Sequence, residues 1–231
     1  MPKKIRVTIL DDHQTTVDGY HLRLDASPRV EVVAAIHHGD ELKETLKKHS
    51  TDVLLLDVGV PASPENPNPY PILYVIPALL QEYPDLAILV VSMHAERNLI
   101  RAIMEAGASG YILKEDQAIL RDLENVIVSV SSGGIHLSKQ AKEAILRSDE
   151  SRRDSLLAKR QLEALSLCLS YPDSSTAELA KKMSISNSTV RNLLSGAYIK
   201  LGVHNRIAAV SKARQMGLIS PEPPTIPVAR R

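Results

Sequence analysis

The chain has 231 residues, enough for one or two domains, and its 44% hydrophobic and 24% charged content is ordinary for a protein folding around a core in water. A lone cysteine, Cys168, excludes an internal disulfide and a cysteine-based zinc site, and no apolar run approaches the ~18 residues of a membrane span. The net charge of +1 hides an asymmetry: residues 1–150 hold 15 Lys+Arg against 22 Asp+Glu (−7), and residues 151–231 hold 13 against 5 (+8). Two domains with different partners fit this split, the basic one suited to a polyanion.

The opening "MPKKIRVTILDDH" loses its apolar character at Asp11, too early for a secretory signal, and reads as a first strand. A cytoplasmic protein without membrane contact is expected. Further β-rich runs follow at 30–34, 53–56, 87–92 and 110–114. Helical spacing fills 40–49 and 95–107, with Leu99, Ile103 and Ala106 on one face and Gly107 as a stop. This alternation predicts an α/β domain, a five-stranded parallel doubly wound sheet covered on both faces. The segment "PASPENPNPYP" (61–71) has five prolines and predicts a stiff, extended surface loop. Pro77 should start or kink the helix that follows. Residues 133–155 read as a linker, with 140–147 able to extend the preceding domain. Residues 156–218 read as all-helical, and the proline-rich end, 219–231, as a flexible tail.

Five polar residues fall at predicted strand ends. Asp11 and Asp12 follow the first strand, Asp57 the third, Ser92 the fourth and Lys114 the fifth. In a parallel sheet those ends share one rim, where sites form. Three carboxylates together repel, and a hard cation such as Mg²⁺ relieves the repulsion. A lysine and a hydroxyl beside them suit phosphoryl oxygens. The set would support phosphoryl transfer to Asp57 as nucleophile. His13 and His94 lie near the rim and read as solvent-facing.

Residues 1–132 resemble the receiver domain of bacterial two-component response regulators, a flavodoxin-like fold. "ILDDH", "LLLDVGVP", "VVSMH" and "GASGYILK" carry the resemblance. It implies Asp57 as phosphoacceptor, Asp11, Asp12, Asp57 and Gly59 as the metal site, and Ser92, Tyr111 and Lys114 as the residues that sense the phosphoryl group. Two departures stand out: Val60 where a methionine is usual, and the proline-rich segment after it.

Downstream, Glu178, Leu179, Ala180 and Met183 suit one helix, "SIS" a turn, and Ser186 or Asn187 the cap of a second. That second helix has an apolar face of Val190, Leu193, Leu194, Ala197 and Leu201. Ser188, Thr189, Arg191, Asn192 and Ser195 lie largely opposite, as polar donors suited to a DNA groove. The segment is similar to the LuxR-type helix-turn-helix domain of the NarL/FixJ regulators, through "AELAKKM", "SISNSTVRN" and "KLGVHNR". The similarity implies that those five residues contact double-stranded DNA and that Lys200 and Arg206 touch phosphates. Here the departures are Leu193 in place of a common histidine, and Gly196, which costs a helix about 1 kcal/mol relative to alanine.

The whole resembles a response regulator that a sensor histidine kinase phosphorylates on Asp57 and that then binds DNA, as a homodimer on activation. Phosphorylation would shift an existing equilibrium, freeing or pairing the C-terminal domains. One rival is an aspartyl-phosphate enzyme. Such enzymes place an aspartate two residues beyond the nucleophile, and here that position is Gly59. The other rival is a DNA-binding regulator whose receiver works without phosphorylation.

Overall fold

The computed structural model describes residues 3–146 and 156–220. In chain order the first half runs β1 (Ile5–Leu10), α1 (Gln14–Leu24), β2 (Val30–Ile36), a 3₁₀ turn (Gly39–Glu41), α2 (Leu42–Lys48) and β3 (Val53–Leu56). It continues with β4 (Pro61–Ser63), β5 (Asn66–Pro69), α3 (Ile72–Glu82), β6 (Ala87–Ser92), α4 (Arg97–Ala106) and β7 (Gly110–Leu113). It closes with α5 (Gln117–Arg121), α6 (Leu123–Ser131), β8 (His136–Leu137) and α7 (Lys139–Leu146). The second half holds α8 (Lys159–Ser170), α9 (Thr176–Lys182), α10 (Asn187–Leu201) and α11 (Arg206–Gln215).

The sheet is parallel, in the order β2-β1-β3-β6-β7-β8. The five expected strands are present. A sixth, β8, adds to the edge from a segment read as linker, and α7 follows it with Ala141 buried in the core. The strands read as unbroken apolar runs because both faces are covered. In β3, Leu54 and Leu56 pack toward α2, α3 and α4, while Val53 and Leu55 pack toward α1 and α6. Each such side chain, fully buried, contributes about 1.5–3 kcal/mol.

Two local readings are revised by the structure and a third is narrowed. The proline-rich loop is extended as expected, but it folds back as the antiparallel hairpin β4–β5, closed by Tyr70 N–H on the Val60 carbonyl at 2.8 Å. Few ladder bonds are needed there, so prolines fit. Of the two readings of Pro77, a helix start or a kink, the start is ruled out, since Pro77 lies inside α3. At the chain's end, Ile219 and Ser220 are buried rather than part of a free tail. The remaining tail residues, 221–231, and the end of the linker, 147–155, lie outside the described residues.

Gly107 ends α4 as expected, in the left-handed conformation (φ +114°) that spares glycine the usual steric penalty. Among the described residues, no helix is long and apolar enough to cross a membrane.

Candidate functional site

Strand register builds the first site. Leu10 pairs with Leu56, Leu56 with Val90 and Ser92 with Leu113, so β1 and β3 end together and β6 and β7 end together two residues further along the same edge. Asp57 N–H then donates to the Leu10 carbonyl at 2.9 Å, and Lys114 N–H to the Ser92 carbonyl at 2.8 Å. The backbone thereby carries Asp11, Asp57, Ser92 and Lys114 onto one rim. Asp11, Asp57 and Ser92 are buried, and Asp12 is exposed.

Lys114 Nζ lies 2.7 Å from Asp57 Oδ2 and 2.8 Å from Asp11 Oδ2, one ammonium shared by two carboxylates. Asp57 Oδ1 accepts from Val58 N–H at 2.6 Å and from Gly59 N–H at 3.4 Å. Asp11 Oδ1 accepts from His13 N–H at 3.0 Å. Burial, and then repulsion from Asp57, hold the Asp11 carboxyl above its ordinary pKa despite Lys114. Burial also works against the charge on Lys114, but Asp57 and Asp11 together outweigh it and raise its pKa.

Ligand atoms of Asp11, Asp12, His13 and Asp57 all lie within 4.8 Å of one another. Three carboxylates give an oxygen-rich donor set, which suits a hard divalent cation. His13 is solvent-facing as expected, its side chain 65% exposed, and its Nδ1 also reaches Asp12 Oδ1 at 3.0 Å beside the cluster. His94 is not solvent-facing. Its side chain is only 14% exposed, Nδ1 lies 3.7 Å from Glu96, and burial lowers its pKa. The β6–α4 loop folds it inward, which spacing along the strand does not reveal. Tyr111 is fully buried, and its hydroxyl donates to the His94 carbonyl at 2.7 Å. Ser92 Oγ accepts from His94 N–H at 3.2 Å, so Ser92 and Tyr111 grip the same loop.

The second site is the pair α9 and α10. Ser175 caps α9 with Glu178 reciprocating, a capping box present in the sequence as "STAE" but not picked out from it. Ser186 rather than Asn187 caps α10, accepting from Thr189 N–H at 3.1 Å. Val190, Leu194, Ala197 and Leu201 are buried, and Leu193 is half-buried. Ser188, Thr189, Arg191, Asn192, Ser195 and Lys200 are exposed together. Arg206 stands apart: its guanidinium donates to the carbonyls of Ser174 and Pro172, bracing the turn before α9. Gly196 lies against Gln161. A Cβ there would lie 2.7 Å from Gln161 Nε2, so a larger residue would push aside the end of the Gln161 side chain on α8.

A parallel sheet with this cluster on its carboxyl edge, followed by a helix-turn-helix, defines the response-regulator class. The chain belongs to that family: residues 7–123 match the response regulator receiver domain, and residues 155–213 match the bacterial regulatory proteins of the luxR family. It is similar to the transcriptional regulatory protein DegU of Brevibacillus brevis, 27% identical and covering 94% of this chain and 95% of that one. It is also similar to the nitrate/nitrite response regulator protein homolog of Haemophilus influenzae, 28% identical over 90% of this chain and 96% of that one. Among solved structures, RcsB from Salmonella enterica serovar Typhimurium, bound to a promoter in the presence of phosphomimetic BeF3⁻, shares the fold. Its TM-score is 0.64 at 23% identity, over 91% of this chain and 98% of that chain. The protein is thus a response regulator with a receiver and a LuxR-type DNA-binding domain, and its curated relatives are transcriptional regulators.

Proposed function

We propose that Asp57 accepts a phosphoryl group from a sensor histidine kinase and that the C-terminal domain binds double-stranded DNA to regulate transcription. The chain acts as a phosphorylated switch rather than an enzyme, in the cytoplasm where its DNA lies. The observation that carries the reading is Lys114 bridging Asp11 and Asp57 at the sheet rim. A carboxylate oxygen of Asp57 attacks the phosphorus as the phosphorus–nitrogen bond to the kinase histidine breaks, the imidazole leaving with the electron pair, and Lys114, already 2.7 Å from Asp57, is placed to turn its charge to the phosphoryl oxygens. Ser92 Oγ lies on the same rim to donate to one of them. Asp11, Asp12, Asp57 and the Gly59 carbonyl would hold Mg²⁺, which supplies charge neutralisation when bound. Tyr111, through His94, would register the change at Ser92.

On the DNA side, Ser188, Thr189, Arg191, Asn192 and Ser195 would meet base edges and nearby backbone, and Lys200 a phosphate. Arg206 would add a phosphate contact with the nitrogens not committed to Ser174. A single small helix-turn-helix spans few base pairs, which favours a homodimer on paired half-sites. We assign residues 1–132 to the receiver, extended by β8 and α7, which join its sheet and core, and residues 156–218 to the DNA-binding domain, with the buried Ile219 and Ser220 added to it.

The test is intact mass after incubation with Mg²⁺ and acetyl phosphate. The expected result is a gain of one phosphoryl group, lost in Asp57→Ala. A modified Asp57→Ala variant would sink the assignment. A second reading, a receiver that acts without phosphorylation, draws support from the hairpin beside Asp57; duplex binding unchanged in Asp57→Ala, with or without phosphodonor, would favour it.

A further inference from the structure

The two halves meet along a built seam. Side-chain hydrogen bonds between described residues cross it, and five of them end on main-chain carbonyls. Asn66 in β5 donates to Ser170 at 2.8 Å, Tyr74 in α3 to Lys182, and Asn98 in α4 to Met216 at 2.9 Å. Ser170 and Lys182 are the last residues of α8 and α9, and Met216 is the C-cap of α11. A helix leaves its last four carbonyls without intrahelical partners. The receiver therefore caps three helices of the DNA-binding domain. In return the Ser170 hydroxyl donates to Pro69, and Lys159 Nζ to Glu105.

Apolar packing reinforces these bonds. Leu73 and Ala102 of the receiver and Leu162 of α8 are buried in one cluster that runs through both halves. Between them remains a gap of about 20 Å³, room for roughly one water. Domains that move freely meet through small, polar contacts, and a shared apolar core ties them. The seam also lies away from the reading face: Ser188, Thr189, Arg191, Asn192 and Ser195 are exposed with the domains docked.

We propose that the docked form is itself the DNA-binding form, with the β4–β5 hairpin and its seam acting as a strut rather than as a latch that must open. The proposal rests on the DNA-binding reading of α10. Each reading helix is fixed to its own receiver. Pairing of two receivers then sets the spacing and orientation of two reading helices, with no release step. The partner this surface fits is a duplex with two half-sites at the separation that the receiver pair dictates.

The test begins by letting the full-length chain select duplexes from a random-sequence pool. The combined variant Asn66→Ala, Tyr74→Phe, Asn98→Ala is then compared on the selected duplex. The strut predicts an affinity loss of about threefold or more, because only a fraction of loosened molecules holds the binding pose. Unchanged or tighter binding overturns it, since a latch would bind better once loosened. A second measurement needs no variant: hydroxyl-radical footprinting of the wild-type chain with and without the duplex. Leu73 and Leu162, buried on the two sides of the seam, should keep their protection from side-chain oxidation when the duplex binds, and a clear gain in their oxidation overturns the strut. A chain that enriches no duplex at all overturns the DNA-binding reading itself, and the strut with it.

Discussion

Lys114 shows how much one side chain can be asked to hold: a single ammonium balances two buried carboxylates that repel each other. Its position was legible in the sequence because strand ends in a parallel sheet are in phase. A polar residue directly after an apolar run therefore lands on the rim. What lay beyond reach was set by loops, such as the inward turn of His94. A second ion pair works at the opposite end of the sheet. Asp52 accepts from Arg6 Nε at 2.9 Å, Nη2 at 2.6 Å and its backbone N–H at 2.8 Å, tying the start of β3 to β1. The hydrogen bond from Arg6 lowers the Asp52 pKa from 3.8. A depressed native pKa gives stability that is complete above the unfolded value and lost as pH falls through the native one. Asp52→Asn should therefore cost about 1 kcal/mol at neutral pH, the pair being partly solvated. Urea titrations across pH check this: the gap between wild type and variant should persist down to about pH 4 and close below it. A gap that survives in strong acid contradicts the assignment.

At the level of elements, the clearest revision is the hairpin. Five prolines argue correctly for extended backbone and against helix. They say nothing about whether the two arms pair, because the closing bond uses Tyr70 and Val60 at the flanks. The reason the arms sit where they do is a glycine far upstream. A Cβ on Gly39 would lie 2.1 Å from the Tyr70 ring, so the ring occupies the space that any other residue would claim. Gly39→Ala should force Tyr70 out and destabilise the protein by about 1–3 kcal/mol. Chemical denaturation measures it, and an alanine variant as stable as wild type would show that the ring relocates freely. Gly196 teaches the same lesson within α10. Helix propensity scores it as a defect, whereas its neighbour, the end of the Gln161 side chain, is set by tertiary packing. Regular elements were legible because periodicity is local; close approaches between elements were not.

For the molecule as a whole, the −7 and +8 halves assign opposite electrostatic jobs. An acidic rim attracts a cation, and a basic helical domain releases counterions from a polyanion. Arg191→Ala should weaken binding to the selected duplex by about 1–3 kcal/mol and relax preference at one base position. Lys200→Ala should weaken all duplexes alike and lower the slope of log affinity against log salt by about 1. Binding isotherms over a salt series separate the two, and an Arg191→Ala variant that keeps its full base preference would remove Arg191 from the reading set.

The carbonyl acceptors along the seam have a consequence for how such a chain can diversify. Lys182 and Met216 are met through atoms that every residue possesses, so their side chains can change without breaking the bond. Tyr74 and Asn98, on the other side, hold those bonds through specific donors. Drift is therefore uneven: Ser170 and Lys159 are held to their donor side chains, while Lys182, Met216 and the reading face of α10 are free to vary and to acquire new operator preferences on the same mount.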